Sequence, residues 1–373
     1  MAKRIFFFML CIFAMGFSQE QKTQLFGFYP HWARIVGYFP HELHLETYDQ
    51  ILYGYYVPNS EGTLVSGDKD QDQLLTVLEL TQKNKQTLWL CIGGYDMSQE
   101  MSIAAQKESS VLSFAQSISS LAQKGVGGFV IDWTQIVTER NDSLHRENLL
   151  ATITDTIIAL KKRNLSVQIG LYAPMAEIAK MKFSDTLLKK IDKIFINSEE
   201  QMGLWSKTVK PLSDIRETQK AIAYWNSRGF KSEQIIATLP AFAKSFDLAE
   251  KLGDKQKGFG SGTLGYFRWH ELFKQFKDRK ELYKTDFDSL SVSNYAVGNE
   301  EIIVYLHPQS LVLQSDILRT QNQVYGIMLK DATADKNMPE SLSMSKALQN
   351  SLLIPSAYKA NTKDTLSISE KRQ

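Results

Sequence analysis

Eight short apolar runs, each followed by a segment of helical period, predict an α/β protein with one closed parallel sheet, a (β/α)8 TIM barrel. Two further observations point the same way. Phe129, Val130 and Ile131 are an unbroken apolar run, as for a strand buried on both faces, and it ends on one carboxylate, Asp132. The alternation also breaks once, late in the chain, over a stretch too long for a simple βα loop. The break falls at about residues 250–304, between the seventh and eighth strands.

Taken in order, Leu25–Tyr29 is the first strand and Ile51–Val57 the second. Gln71–Lys83 follows as an amphipathic helix with Leu74, Leu75, Val77, Leu78 and Leu80 on its apolar side. Thr87–Ile92 is the third strand and runs into Gly93-Gly94. Ser109–Lys124 has helical spacing and stops at Gly125, a residue suited to a helix end. Beyond Asp132, Leu144–Arg163 is the longest helix. Ser166–Tyr172, Lys193–Ile196 and Gln234–Leu239 are strands five to seven, with a helix over Leu212–Gly229 before the seventh. Within the break lie a Gly-rich turn, a short helix near Trp269–Phe276 and strand-like ends near Ser291–Tyr295 and Glu301–Leu306. Val324–Leu329 is the eighth strand and Pro339–Leu353 the closing helix.

At 373 residues the chain fits one barrel with an insertion. Lys3 and Arg4 precede the apolar run Ile5–Phe17, and Gly16 and Ser18 suit a signal peptidase. Residues 1–18 therefore read as a secretory signal, too short to span a bilayer. The barrel and insertion occupy 19–355, and the polar, aperiodic residues 356–373 read as a disordered tail. The expected location is the periplasm, the cell surface or outside the cell. The 43 basic and 41 acidic residues nearly balance, and two of the basic ones lie in the signal. Nucleic acid is not indicated as a partner. No second apolar segment is long enough to cross a membrane. Only Cys91 lies outside the signal, so no internal disulfide is expected, and it reads as a buried apolar residue. The six histidines are scattered without zinc-ligand spacing, and no phosphate loop or dinucleotide fingerprint occurs. No metal and no cofactor are expected.

Several stretches together resemble the family-18 glycoside hydrolases, the chitinases and chitinase-like lectins. Their fourth-strand signature, D-G-x-D-x-D-W-E, is similar to Gly127-Gly128-Phe129-Val130-Ile131-Asp132-Trp133-Thr134. The glycine, the last aspartate and the tryptophan are kept. The first two aspartates are Gly127 and Val130, and Thr134 stands at the acid position. Phe26–Trp32 resembles the family's first strand, Ile51–Tyr55 its second, Cys91–Gly94 its third and Ile236–Leu248 its seventh. The resemblance implies a substrate groove at the C-terminal ends of the strands, and it implies that the break at about residues 250–304 is a small α+β insertion domain forming one wall of that groove. It also implies that a glutamate protonates the glycosidic oxygen, while the last aspartate orients the substrate's N-acetyl group; such substrate-assisted enzymes depart from the two-carboxylate pattern.

Asp132 matches the orienting role, and Thr134 cannot donate a proton near neutral pH. Loss of a general acid removes on the order of 10²–10⁴ in rate. The sixth-strand M-x-Y-D pattern falls on Asn197-Ser198-Glu199-Glu200, which removes the family's tyrosine. Lys330 stands where a tryptophan forms the sugar-subsite floor, and Phe242 and Lys244 replace a tyrosine and an arginine. The reading is a chitinase-like protein that no longer hydrolyses and binds N-acetylglucosamine-containing glycan or an envelope protein partner. Two alternatives stay open: a glycosidase whose acid is relocated to Glu199 or Glu200, and a structural subunit of an envelope complex. The bland reading of the two glutamates is solvation, or pairing with Lys193, Lys207 or Lys330. Candidate ligand contacts are Tyr29, Trp32, Tyr95, Asp132, Trp133, Trp205, Phe242 and Lys330, the aromatic ones because stacked rings serve sugar grooves and interfaces alike. Tyr56 also falls on a strand exit, and the resemblance implies that Trp133, whose aligned position packs in the family, lies in the core.

Overall fold

A computed structural model describes residues 22–42, 44–67, 72–94, 97–133, 142–177 and 182–353. The expected signal (1–18) and tail (356–373) lie outside the described residues. Strands β1 (Gln24–Pro30), β2 (Gln50–Pro58), β3 (Leu64–Ser66), β4 (Thr87–Gly93), β5 (Gly128–Asp132), β6 (Gln168–Ala173), β7 (Lys193–Ile196) and β8 (Ile235–Pro240) come first. After them come β9 (Phe242–Asp247), β10 (Tyr266–Arg268), β11 (Lys284–Asp288), β12 (Ser293–Gly298), β13 (Glu301–Tyr305) and β14 (Gly326–Lys330). The first sheet runs β1-β14-β8-β7-β6-β5-β4-β2-β3. Parallel pairing of β1 with β2 closes eight of these strands into a barrel, while β3 lies antiparallel on β2. The (β/α)8 barrel read from the alternation is therefore the observed fold.

Alternation along each strand divides the core into two layers. Phe26, Phe28, Trp89, Val130, Phe195 and Met328 are among the side chains that fill the barrel interior. The residues between them, such as Leu25, Ile51, Leu90, Ile131 and Ile194, pack outward with the helices. Trp89 holds the lower interior: its ring meets Phe26 and Phe195 edge-on or tilted, at 6.3 and 5.6 Å. Its indole N–H donates to Gln50 Oε1 at 2.6 Å, so the one polar atom of a buried ring is satisfied. Gly128 is required beside it, since a Cβ there would stand 2.2 Å from the Trp89 ring.

The helices lie close to the expected spans: Leu74–Lys83, Glu108–Gln123, Asp142–Lys162, Ile215–Ser227 and Met344–Leu353. Asp214 caps the fourth of these by accepting the Arg216 N–H at 2.9 Å. Three helices among the described residues were not anticipated, Ser98–Ala105, Asp185–Leu188 and Pro308–Thr320. The insertion is a second, antiparallel sheet in the order β10-β9-β13-β12-β11, covered in part by the helix Trp269–Asp278. It starts earlier than Glu250. Ile236–Leu248 reads in sequence as one strand-like motif, but Ala241 separates β8 in the barrel from β9 in the second sheet. Among the described residues no helix is long and apolar enough to cross a membrane.

Candidate functional site at the barrel mouth

The C-terminal ends of the strands gather buried charge. Asp132 is the last residue of β5 and only 3% exposed. Its inward parity with Val130 sets its carboxylate toward the mouth, and its carbonyl accepts the Gly94 N–H at 2.8 Å. Gly93, beside it in β4, is held at φ 103°, and a Cβ there would meet the Asp132 carbonyl oxygen at 2.1 Å. Only glycine fits both restraints.

Glu199 follows β7 and is 1% exposed. Its Oε1 accepts the Tyr172 hydroxyl at 2.6 Å and the Lys330 ammonium at 2.7 Å. With the Asn197 amide oriented to donate, its nitrogen lies 3.2 and 2.9 Å from Oε1 and Oε2. Lys330 ends β14, with inward parity to Met328, and its Nζ also stands over the rings of Tyr172 and Phe28 at 5.2 and 5.6 Å. Burial works against the Lys330 charge, but Glu199 and the Tyr172 and Tyr55 oxygens outweigh it and hold the ammonium well above the ordinary lysine range. Burial, with Glu199 next to it, pushes the Tyr172 hydroxyl far up, so it stays a proton-bearing donor. Burial raises Tyr55 as well, with Lys330 opposing and Asp132 adding to the shift. The Cys91 thiol, one step below, is pushed up by burial and by Asp132, and the group is inert rather than nucleophilic.

Glu200 points elsewhere. Its carboxylate pairs with Lys244, and Lys244 also lies 5.7 Å from the centre of the Trp205 ring. Trp205 is 69% exposed. The two glutamates thus take different lysines: Lys330, as the sequence allowed, and Lys244, which it did not. The Glu200 and Lys244 side chains are 33% and 12% exposed. Replacing Glu200 with glutamine leaves a largely buried ammonium without its carboxylate and is expected to lower the unfolding free energy by about 1–3 kcal/mol in a denaturant titration.

The other sequence candidates sort by strand parity. Trp32 is half-buried at the mouth and stacks on Tyr55 at 6.0 Å. Tyr29 and Trp133 do not belong to the site. Both rings are buried in the layer between sheet and helices, facing away from the barrel axis, and the Tyr29 hydroxyl donates to the Tyr38 carbonyl at 3.0 Å. Phe242 is buried and stacks on Tyr266 at 5.2 Å, which leaves Tyr266 as the more exposed ring of the pair. Tyr56 faces outward and donates its hydroxyl to Asp72. A register shift between Gly54 and Tyr56 puts Tyr55 at the mouth instead. Thr134 and Tyr95 lie outside the described residues. Tyr55, Tyr172 and Asn197 were missed, although the inward parity of Tyr172 with Gly170 was available from strand period. No group of three or more His, Cys, Asp or Glu arranged for a metal ion occurs among the described residues.

The model of the glycosyl hydrolases family 18 matches residues 24–335. The chain belongs to that family. Chitinase 1 of Aphanocladium album is 22% identical over 344 residues, covering 81% of this chain and 79% of that one. Endochitinase 1 of Metarhizium robertsii is 23% identical over 361 residues, covering 84% and 82%. Among solved structures, a class V chitinase from Nicotiana tobaccum superposes with a TM-score of 0.78 at 15% identity, covering 89% of this chain and 99% of that one. In this family-18 chain the central mouth is occupied by an internal ion pair, with an exposed tryptophan on the rim.

Proposed function

We propose that this family-18 protein binds a glycan containing N-acetylglucosamine at the barrel mouth without hydrolysing it. The observation that carries the reading is the state of Glu199. Three donors, from Tyr172, Lys330 and Asn197, converge on its two oxygens. A carboxylate so engaged acts as an acceptor and has no free oxygen from which to hand a proton to a leaving group. Glu200 is engaged with Lys244. The sequence adds that a threonine, Thr134, stands at the acid position of the family signature. Trp205 and the Trp32–Tyr55 stack supply the flat apolar faces that a sugar chain needs. The signal-like residues 1–18 support export, which N-terminal sequencing of the secreted protein checks.

Purified protein is expected to show no turnover of a chromogenic N-acetylglucosaminide above an enzyme-free blank. Calorimetric titration with chitin oligosaccharides is expected to give saturable binding, weakened roughly tenfold by Trp205→Ala, about 1.4 kcal/mol. Turnover that disappears in Glu199→Gln or Glu200→Gln would replace this reading with that of a relocated acid. Absence of sugar binding, with a protein co-purifying in fixed ratio, would replace it with a structural role.

A further inference from the structure

We propose that the end of the barrel opposite the mouth is a docking face for an anionic lipid bilayer, on which the protein rests by charge alone with its mouth turned away from the surface. The chain as a whole is nearly neutral, so composition hides this face. Closure of the barrel sorts the charge. In a parallel barrel every connection from helix to strand lies at the amino end of a strand, away from the mouth. Five such connections follow one another around the ring, before β4, β5, β6, β7 and β8. Lys161 before β6 reaches Asp192 before β7 at 2.7 Å, and Lys193 at the start of β7 donates to the Glu233 carbonyl before β8 at 2.8 Å, so neighbouring connections touch.

The charges of this sector do not balance. Its connections hold two carboxylates: Asp192, paired with Lys161, and Glu233, 3.9 Å from Lys231. On the lower turns of the helices Asp155 pairs with Lys190 and Asp185 with Arg228, and Glu79, a turn above Lys83, is the one further carboxylate. Against that single acid, Lys83, Lys85, Lys124, Lys162, Arg163 and Lys189 stand exposed and outside any ion pair among the described residues. Around the rest of the ring, before β1, β2 and β14, charges pair off: Lys22 with Asp49, His44 with Glu46 and Arg319 with Asp316. Helix carboxyl ends draw cations on their own account, but that field fades beyond the last turn. Lys85 stands past such an end, and Lys189 follows a helix of only four residues. The form of the face selects the occupant. The five connections between helix and strand are three to seven residues long, so none rises to clamp a polymer and the cations lie in one layer. None of the exposed large apolar side chains falls in them, so nothing there stacks a base or a sugar, or inserts among acyl chains. A layer of cations without apolar anchors suits the flat phosphate-bearing surface of a bilayer.

The test uses the full chain and vesicles of phosphatidylglycerol mixed with phosphatidylcholine, with phosphatidylcholine alone as the control. Co-sedimentation at low ionic strength is expected to show saturable binding to the mixed vesicles only, lost as salt is added. A cation near an anionic leaflet is worth about fivefold in affinity, so Lys162→Gln with Arg163→Gln and Lys189→Gln should weaken binding at least tenfold. All three side chains are exposed, so the variant should melt like the parent. Lys277→Gln with Lys280→Gln and Lys284→Gln removes as much charge from the second sheet, where these lysines are also exposed, and should leave vesicle binding unchanged. Hydrogen exchange is expected to slow within 163–166 and 189–192 on docking. Failure to bind the mixed vesicles, equal loss in the two triple variants, or protection confined to the mouth would overturn the proposal. So would retention on heparin or double-stranded DNA that the first variant abolishes while vesicles stay unbound. The glycan reading stands or falls separately: Trp205→Ala should leave vesicle binding intact, and docked protein should still take up chitin oligosaccharide.

Discussion

Replacing Lys330 with methionine is expected to lower the unfolding free energy by about 3 kcal/mol, the cost typical of stranding one member of a buried ion pair. The stranded group is Glu199, whose side chain is 1% exposed and stands 2.7 Å from the Lys330 nitrogen. Methionine keeps the apolar stem and loses one heavy atom of length, so the loss measures the ammonium with its contacts to Glu199, Tyr172 and Phe28 far more than it measures volume. Tyr172 and Asn197 would still donate to Glu199, and they keep the loss from growing larger. The double variant Lys330→Met/Glu199→Gln is expected to recover most of it, because the second change removes the charge left behind. Denaturant unfolding of the parent, both single variants and the double closes the cycle; single losses that simply add would mean that water already solvates the pair. The pH dependence has a definite sign. The folded value for Lys330 lies above its unfolded one of about 10.4, so its contribution is fully present at neutral pH and is lost only as pH rises through the folded value.

How much of this was legible can be traced residue by residue. All eight barrel strands could be read because each is apolar on both faces and separated by helical period, a signal that tertiary contacts reinforce. The second sheet was seen as an interruption but not as five strands, since β11 is exposed along most of its length and carries no alternation of buried residues. Tyr29 was misassigned for a different reason, and Trp133, carried among the candidate contacts but expected to pack in the core, shows the same geometry. Each is the ring nearest a strand exit, but each is one residue out of phase with its inward neighbours, Phe28 and Asp132, and a step of one residue turns a side chain to the other face. Tyr55 exchanges places with Tyr56 because the pairing of β2 with β4 slips after Gly54, and no local pattern announces that slip. The ion pair was one of three pairings the sequence left open for the glutamates, beside those with Lys193 and Lys207, and nothing local chose among them. Glu199 and Lys330 are separated by 131 residues, and their strands are not neighbours, since β8 lies between them. Only closure of the barrel brings two such side chains to one axis.

The same closure makes the lower interior unforgiving, and there Trp89→Ala is expected to cost about 3–5 kcal/mol, the range for emptying a large aromatic site that cannot collapse. The walls are Phe26 and Phe195, fixed on β1 and β7, and hydrogen-bonded strands on all sides prevent them from closing the void. Gln50 would lose its donor at the same time, leaving its buried side-chain oxygen without the indole N–H. For a chain of this size the melting temperature should fall by about 4–6 °C, scaling unfolding entropy with length. Gly128→Ala should also destabilise, by about 1–3 kcal/mol, through overpacking against the same ring. The decisive measurement combines them. If the glycine is needed because of the tryptophan, Trp89→Leu/Gly128→Ala will be more stable than the sum of the single losses requires, because a leucine frees the space that the new methyl group fills. Additive losses would instead place the glycine's role in the backbone of β5, and the calorimetric melting curves of the four proteins distinguish the two cases.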